Sequence, residues 1–278
     1  MKIGSYIHNS TSSTIVGILN VTPDSFSDGG CFNNPADAIN YALELAKAGA
    51  DIIDIGGEST RPNSQPVSVD EELGRVLPVI KGIRQQSDIP ISIDTSKACV
   101  ATQALELGAD MINDISAGTF DQNMFAVAAK YQVPICLMHM RGTPQTMQNN
   151  LAYANIFAEI ADFLNAASLQ AIQAGVSADN IILDPGIGFG KSAQANLDLL
   201  RQLNFFKELG FPLLIGTSRK SFIGNLLGHE LSDRLEASLA SISHAKLRGA
   251  EFFRVHDVAA SKRYLAMVDL LNQPDGVK

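Results

Sequence analysis

The stretch ADIIDIGGESTRP, residues 50–62, places the carboxylate of Asp54 inside a run of isoleucines. Such a run, followed by glycines and polar residues, predicts a buried β-strand that ends in a loop. Burial of an unpaired carboxylate is strongly unfavourable. We therefore expect Asp54 to lie at the mouth of the fold, where a ligand, an ion or another polar side chain can pair with it.

The same arrangement recurs along the chain. Other apolar runs end on Asp94, Asn113, Asp184 and the pair Arg254 and His256. Three of the runs share a lead-in of glycine, alanine and an acid: KAGADIIDIGG, ELGADMINDIS and LRGAEFFRVHD. Glycine is typical of a helix C-terminus, so this lead-in predicts a helix followed at once by a buried strand, which is the junction of repeated β/α units.

The number of these units predicts the fold. Apolar, β-branched runs start near Thr14, Asp51, Ile89, Ala109, Val133, Asn180, Phe211 and Glu251. The helical stretches between them are Ala36 to Ala48, Asp70 to Gln86, Ser96 to Leu107, Gln122 to Lys130, Tyr153 to Ala174, Ala193 to Leu209, Ser232 to Lys246 and Ala259 to Leu271. Eight units predict an α/β fold, a single (β/α)8 TIM barrel with its active site at the C-terminal ends of the strands. A doubly wound open sheet is the alternative.

Composition limits the function. The chain has 278 residues, is 46% hydrophobic and shows no linker, so we expect one domain over residues 1–278 with a core at about 14–272. Its net charge of -8 argues against a nucleic-acid surface. The polar start MKIGSYIHNSTSS and the lack of a long apolar run predict a cytoplasmic protein without a membrane span. Three widely spaced cysteines suggest no metal or disulfide chemistry.

Polar side chains at the strand ends should converge on the barrel axis. Acids and carboxamides there suit a ligand rich in N–H donors, such as an amino-substituted heterocycle. Lys220, Arg254 and His256 suit an anion such as phosphate, which TIM barrels often bind near the last strands. A single strand-end aspartate can instead cap the next helix, and Asp94, before Thr95, is most open to that interpretation.

Three loops carry further signals. ILNVTPDSFSDGG, residues 18–30, and GGESTRPNSQPVS, residues 56–68, are long loops after barrel strands, which are usually functional. DPGIGFGKS, residues 184–192, matches neither common glycine-rich phosphate motif. Its glycines predict a close approach of the backbone to a flat ring, with Phe189 as an apolar wall.

With these residues in place, the chain resembles the dihydropteroate synthases of bacterial folate biosynthesis over nearly its whole length. The segments that carry the resemblance, in the family's order, are GILNVTPDSFSDGG, DIIDIGGESTRP, PISIDTSK, INDISAG, LMHMRGTPQTMQ, IILDPGIGFGKS, LIGTSRKSF and FRVHDV. Together they are highly specific, whereas any one of them would be only suggestive.

The resemblance implies a transferase. The family condenses 6-hydroxymethyl-7,8-dihydropterin diphosphate with 4-aminobenzoate to give 7,8-dihydropteroate and diphosphate. It further implies Mg²⁺ as cofactor, a homodimer and competition by sulfonamides at the 4-aminobenzoate pocket. Departure of diphosphate would leave a pterin-stabilised carbocation that the aniline nitrogen attacks, without a covalent enzyme nucleophile.

The resemblance also implies a role for each matched residue. The pterin-binding residues would be Asp94, Asn113, Met138, Asp184, Phe189, Gly216 and Lys220. The diphosphate would contact Asn20, Arg254 and His256, with Asn20 also a Mg²⁺ ligand. The 4-aminobenzoate pocket would comprise Phe26, Thr60, Arg61, Pro62 and Ser221. The catalytic residues would be Asp94, Lys220, Arg254 and Asp54.

Two other functions remain open from the sequence. A methyltetrahydrofolate-binding methyltransferase shares the strand-end acids and asparagines, and it would need a corrinoid partner. The STRP loop and the SRKSF segment favour the synthase, because they supply a site for a second substrate. A catalytically silent pterin-binding paralogue should show decay of the anion ligands, yet Asn20, Arg61, Lys220, Arg254 and His256 are all present.

Overall fold

The computed structural model describes residues 1–22 and 34–272 of the chain. A short antiparallel hairpin, β1 (Lys2–Ile3) and β2 (Tyr6–Ile7), precedes a sheet of eight parallel strands. The strands of that sheet are β3 (Thr14–Asn20), β4 (Ile52–Gly56), β5 (Ile91–Asp94), β6 (Met111–Asp114), β7 (Ile135–Met138), β8 (Ile181–Asp184), β9 (Leu214–Ile215) and β10 (Phe252–Val255).

The sheet closes into a barrel. Its strands follow the order β8-β7-β6-β5-β4-β3-β10-β9, so that sequential strands are neighbours and the last two return to the first. The remaining seam, between β8 and β9, is joined by a parallel bridge from Leu183 to Leu213 and by a 2.9 Å hydrogen bond from Leu183 N to Pro212 O. The predicted TIM barrel is confirmed, and the doubly wound alternative is wrong.

Helices surround the barrel. Their bounds are α1 (Pro35–Lys47), α2 (Val69–Arg84), α3 (Ala98–Glu106), α4 (Met124–Tyr131), α5 (Ile156–Gln173), α6 (Ala193–Arg201), α7 (Ser221–Leu227), α8 (Leu235–Leu247) and α9 (Val258–Leu271). None of the helices in the described residues is both long and apolar enough to cross a bilayer.

Two helices differ from the sequence prediction. The helix predicted over 193–209 ends at Arg201 and continues as a 3-10 segment, Leu203–Leu209. Its buried Leu203 and Phe206 are three residues apart, a spacing that fits either kind of helix. The sequence did not predict α7, because seven residues are too few to show a helical period.

The repeated lead-in builds the same junction at each place. Its glycines have φ of 103°, 103° and 96°, the left-handed conformation of a helix C-terminus, at Gly49, Gly108 and Gly249. The acid that follows can bind a neighbouring strand. Asp51 Oδ2 accepts from the backbone N–H of Ile15 at 2.8 Å, and Asp110 Oδ2 accepts from Ile91 N at 2.9 Å. These acids therefore fix the start of β3 and β5, while the aspartates further along face the site.

The barrel interior is built in layers. An apolar layer toward the N-terminal ends consists of Val16, Ile52, Met111, Cys136, Ile182, Leu214 and Phe252, with Ile3 of the hairpin packed against it. Because alternate residues of a strand face the same side, the residues two positions further on also face the interior. Those residues are Ile18, Asp54, Asn113, Met138, Asp184, Gly216 and Arg254. The period of two thus places a largely polar layer directly above an apolar one.

Candidate active site

A cavity of about 480 Å³ opens at the C-terminal ends of the strands. Fourteen of the predicted site residues line it: Asn20, Thr60, Arg61, Pro62, Asp94, Asn113, Met138, Asp184, Phe189, Gly216, Lys220, Ser221, Arg254 and His256. Phe26, predicted for the 4-aminobenzoate pocket, lies outside the described residues. The strand ends therefore bring together residues that are up to 236 positions apart, between Asn20 and His256.

Arg254 links two of the strand-end aspartates. Its Nε donates to Asp54 Oδ2 at 2.6 Å, and its terminal Nη2 donates to Asp94 Oδ2 at 2.7 Å. Asn113 Nδ2 also donates to Asp54 Oδ2, at 3.0 Å. A guanidinium has five N–H donors, so Arg254 can hold both carboxylates and still donate to an anion in the cavity.

The position of the Asp54 side chain differs from the sequence prediction. The sequence predicts it at the mouth and among the catalytic residues, but its side chain is fully buried and does not line the cavity. It is accommodated by Arg254 and Asn113, two polar side chains, and its Oδ1 has no hydrogen-bond partner in the described residues. Asp54 comes two residues before Gly56, whose strand partners are Asn20 and Asp94, so it lies one layer below those two residues. Its effect on the cavity passes through Arg254 and Asn113, which both bind its Oδ2.

The charges of this group depend on burial. Burial raises the pKa of Asp94 to about 7, although the Arg254 guanidinium opposes that shift. Burial also disfavours the charge of Arg254, but Asp54 and Asp94 outweigh it and raise the pKa of that guanidinium above its ordinary value. Arg254 therefore stays charged, and its field favours the anionic form of the aspartates around it.

Asp184 is held in place by its own backbone turn. Its Oδ1 accepts from Gly186 N at 2.7 Å, and the residue is 6% exposed. Burial raises the pKa of Asp184 to about 6, and the Gly186 hydrogen bond and Lys220 act in the opposite direction. At neutral pH the carboxylate is ionised and can accept two N–H donors from a ligand.

Lys220 and Phe189 form the adjoining wall. The ammonium of Lys220 lies 4.0 Å from the centroid of the Phe189 ring, which is a cation–π contact. Burial, and then Arg254, lower the pKa of Lys220 to about 8, while Asp184 raises it. An apolar cluster packs against Phe189 and consists of Ile115, Met138, Met140 and Met147. One side of the cavity is thus apolar, as a flat aromatic ring requires.

Oxygen and nitrogen groups line the part of the cavity next to β3, β9 and β10. His256 Nδ1 is 3.1 Å from Ser218 Oγ, and Ser218 Oγ also accepts from His256 N at 3.2 Å. Asn20 ends β3 at the rim of the cavity. The described residues contain no group of three or more His, Cys, Asp or Glu side chains that could hold a metal ion. A carboxamide oxygen together with ligand phosphates nevertheless suits Mg²⁺, which is commonly bound by one or two protein ligands plus substrate phosphates.

The loop after β4 carries the residues predicted for the second substrate. Thr60, Arg61 and Pro62 line the cavity beside Ser221, the first residue of α7. The loop contacts the segment after β7 through a 3.0 Å hydrogen bond from Asn63 N to the carbonyl oxygen of Pro144. This arrangement puts the predicted 4-aminobenzoate residues on the solvent side of the polar layer.

Some lining residues were not predicted from the sequence. Ser218 and Arg219 belong to a segment that the resemblance includes, and only their individual roles were missed. Arg234 lines the cavity from a position that no motif marks, and its Nη1 donates to Arg219 O at 3.1 Å. Arg219 in turn forms an ion pair with Asp257 at 2.6 Å. Such positions can be recognised as cavity residues only from the structure, which brings the loops after β9 and β10 into contact.

The glycines after β8 are required by contacts with other protein atoms, whereas the sequence predicted a contact with a flat ring. A Cβ on Gly186, whose φ is 71°, would lie 1.9 Å from His139 O. One on Gly188 would lie 3.1 Å from Lys220 Cδ, and one on Gly190 would lie 3.1 Å from Arg141 O. The prediction of a close approach to a ring does not account for these contacts. The glycines are needed because neighbouring protein atoms occupy the space of a side chain.

Comparison with known proteins agrees with this geometry. A family model described as "Pterin binding enzyme" matches residues 16–256. The dihydropteroate synthase of Synechocystis sp. is 52% identical over 258 residues, which cover 92% of this chain and 89% of that protein. The crystal structure of the Yersinia pestis dihydropteroate synthase with a sulfonamide drug complex superimposes with a TM-score of 0.93 at 40% identity, covering 98% of each chain.

A further solved structure contains a ligand that is relevant to the site. The dihydropteroate synthase of Xanthomonas albilineans in complex with 7,8-dihydropteroate has a TM-score of 0.85 and 40% identity, and 96% of each chain is covered. Identity at this level over almost the whole length fixes the family as well as the fold. The chain therefore belongs to the dihydropteroate synthase family of pterin-binding enzymes.

Proposed function

We propose that this enzyme condenses 6-hydroxymethyl-7,8-dihydropterin diphosphate with 4-aminobenzoate, giving 7,8-dihydropteroate and diphosphate. The observation that carries the proposal is the division of the cavity into three regions. These are a floor of carboxylate and carboxamide groups, a cationic side and an apolar wall. The likeness to the synthases of Synechocystis and Yersinia pestis supports the same reaction. The three regions match the aminopyrimidine edge, the diphosphate and the flat ring of the pterin substrate.

The pterin would enter the deeper part of the cavity. The ionised Asp184 would accept N–H donors of the aminopyrimidine, and Asn113 and Asp94 would complete the polar edge. Met138, Gly216 and the Phe189 ring would contact the faces of the bicycle. Lys220, above Phe189, would supply a positive charge near ring acceptors. The position of each side chain in the cavity supports these roles.

The diphosphate would lie toward Arg254 and His256, whose side chains are hydrogen-bond donors on β10 and on the loop that follows it. Asn20 would hold Mg²⁺ through its carboxamide oxygen. When bound, the ion withdraws charge from the leaving diphosphate. The reaction needs no nucleophilic side chain. The cavity therefore contributes by orienting the substrates and by stabilising the charges that develop on them.

The reaction exchanges one bond for another. The C–O bond between the pterin methylene carbon and the diphosphate breaks, and its electron pair leaves with the diphosphate oxygen. The amine nitrogen of 4-aminobenzoate then forms a bond to that methylene carbon and loses a proton. Asp94, in its ionised form, would stabilise positive charge on the pterin, and the Arg254 guanidinium favours that form. Thr60, Arg61, Pro62 and Ser221 would hold the aminobenzoate, and so would Phe26, which lies outside the described residues.

We further propose that the chain acts as one domain in a cytoplasmic homodimer, and that sulfonamides compete for the aminobenzoate pocket. The complex of the Yersinia pestis synthase with a sulfonamide drug supports the last point. Sedimentation at several concentrations would test the dimer. A single monomeric species at every concentration would contradict it.

Diphosphate release by the purified protein would test the reaction. The mixture contains Mg²⁺, the pterin diphosphate and 4-aminobenzoate, with controls that omit each component or add a sulfonamide. Release that depends on every component, yields dihydropteroate and is inhibited by the drug is the expected result. Pterin binding without condensation would instead indicate a silent module, and full activity after chelation of divalent cations would contradict the role of Mg²⁺.

A further inference from the structure

Lys191 is a buried lysine that the proposed chemistry does not use. The residue is 3% exposed and does not belong to the cavity lining. A lysine is almost never fully buried unless its ammonium group is matched by acceptors. Its surroundings therefore indicate what it stabilises.

The ammonium of Lys191 has three close acceptors. Nζ lies 3.0 Å from His139 Nδ1, 2.9 Å from Gly186 O and 2.9 Å from Phe189 O. Burial lowers the pKa of Lys191 to about 7, while Asp184 raises it, and the charged form has three N–H donors, one for each acceptor. The carbonyl oxygen of His139 is a longer contact at 3.4 Å. Lys191 thus joins the segment after β7 to the turn after β8.

His139 is suited to accept from an ammonium. Burial, and then the charges of Lys191 and Arg141, lower the pKa of His139 to about 3, so the ring is neutral at physiological pH. The ring is also fixed by an edge-on contact with Phe163, with centroids 5.0 Å apart. A neutral, immobilised ring with Nδ1 toward Lys191 is an acceptor in a fixed position.

The turn that Lys191 holds carries two side chains of the cavity. The carbonyl of Gly186 binds Lys191, while the amide of the same residue donates to Asp184 Oδ1 at 2.7 Å. The carbonyl of Phe189 binds Lys191, while its ring lies under Lys220. The same ammonium therefore fixes the backbone at both of these points of the turn.

We propose that Lys191 is a positioning residue for the pterin, which acts by holding the turn 184–190 so that the Asp184 carboxylate meets the aminopyrimidine edge of the ligand and the Phe189 ring meets its face. This inference rests on the proposed function, because it assigns the pterin to that part of the cavity. Lys191 itself contacts no substrate. Its loss should therefore affect the pterin and leave the aminobenzoate pocket, on the loop after β4, unchanged.

The test compares Lys191→Met with Lys81→Met, which changes an exposed lysine of α2. Both variants are assayed as the full chain to obtain KM for each substrate, and 6-hydroxymethylpterin affinity is measured by calorimetry. We expect Lys191→Met to raise the pterin Kd, and KM for the pterin diphosphate, about tenfold or more, since small displacements of binding groups are costly. By contrast, KM for the aminobenzoate substrate should stay within about twofold of wild type. An equal change in both KM values would overturn the proposal.

A second pair of variants keeps the test decisive if Lys191→Met does not fold. His139→Gln retains an acceptor for the ammonium, whereas His139→Leu removes it. We expect the leucine variant to weaken pterin binding several-fold more than the glutamine variant, and equal affinities would refute the role of this contact. If the wild-type protein binds pterin without condensation, the proposed function fails while the affinity ratios still decide the proposal. Absence of pterin binding by the wild-type protein would overturn both.

Discussion

Arg254 Nε donates a 2.6 Å hydrogen bond to Asp54 Oδ2, which joins β10 to β4 across 200 residues of sequence. The two groups differ in exposure: the Asp54 carboxylate is fully buried, whereas 21% of the Arg254 side chain is accessible from the cavity side. The buried charge therefore acts on the ligand through the two cavity side chains that it binds, Arg254 and Asn113. This relationship separates residues that would touch the substrate from residues that hold them.

Asp54→Asn should weaken diphosphate recognition selectively. The asparagine retains the size of the side chain and an oxygen that can accept from Asn113, but it removes the charge that holds Arg254, so the guanidinium loses its fixed orientation. We expect affinity for the pterin diphosphate to fall about tenfold, and affinity for 6-hydroxymethylpterin, which lacks the diphosphate, to change by less than about threefold. Calorimetry with both ligands measures the difference, and Asp198→Asn on the exposed side of α6 serves as control. Equal losses for the two ligands would show that Asp54 acts on the ring site instead.

Asp184→Asn should abolish recognition of the pterin ring while leaving the fold intact. The amide oxygen of asparagine can still accept from Gly186 N, which keeps the local turn, but its NH₂ group opposes the N–H donors of the ligand. We expect pterin affinity to fall about a hundredfold or more, because a charge-assisted pair becomes a donor–donor clash. Thermal unfolding confirms the folded state of the variant. Calorimetric affinity within a factor of two of wild type would remove Asp184 from the ring site.

Lys220 should set an alkaline limit on activity. Burial lowers its pKa to about 8, and a lysine is charged below its pKa, so the positive charge above Phe189 is lost as the pH rises through 8. We expect kcat/KM to fall above about pH 8 in the wild-type enzyme. Lys220→Arg remains charged throughout, and its profile should lack this fall even if its maximum is lower. The same alkaline fall in the arginine variant would assign the titration to another group.

The sequence predicted most of the fold because the strand signals are repeated and local. Each lead-in of glycine, alanine and an acid forms the same helix-to-strand junction, as the left-handed φ of Gly108 and the Asp110 contact show. Barrel closure could be inferred from the number of units alone. The short helix α7 and the N-terminal hairpin lacked a period long enough to detect.

The candidate site was harder to predict from the sequence than the fold, for a physical reason. The sequence indicates which residues end a strand, but the depth of each side chain depends on the register between strands. Asp54 pairs with Ile18 in β3 and Ser92 in β5, one layer below Asn20 and Asp94. A shared motif therefore placed Asp54 with the ligand contacts, although it is fully buried and does not line the cavity. Lys191 was equally hidden, since its partners come from two loops.

A cluster of three charges supports the loop after β4. The ammonium of Lys97 binds Glu58, on that loop, and donates to Glu72 Oε2 of α2 at 2.6 Å. Glu72 is fully buried, and its Oε1 has no hydrogen-bond partner in the described residues. A Cβ on Gly57 would lie 3.0 Å from Glu72 Cγ, so loop and helix are in close contact here. The stability of the loop thus depends on how the Glu72 charge is compensated.

Lys97→Met should be costly because it leaves the Glu72 carboxylate buried and unpaired. Removing one partner of a buried ion pair typically costs about 3 kcal/mol, which for a chain of this size lowers Tm by roughly 5–10 °C. The double variant Lys97→Met, Glu72→Gln should regain much of that loss, since it removes the buried charge as well. Glu58 is partly exposed and can be solvated, so it needs no compensating change.

In the single variant KM for the aminobenzoate substrate should rise, because Thr60 and Arg61 follow Glu58 on the same loop. Calorimetric unfolding of both variants, with Lys81→Met as control, tests this account, and a double variant no more stable than Lys97→Met would contradict it.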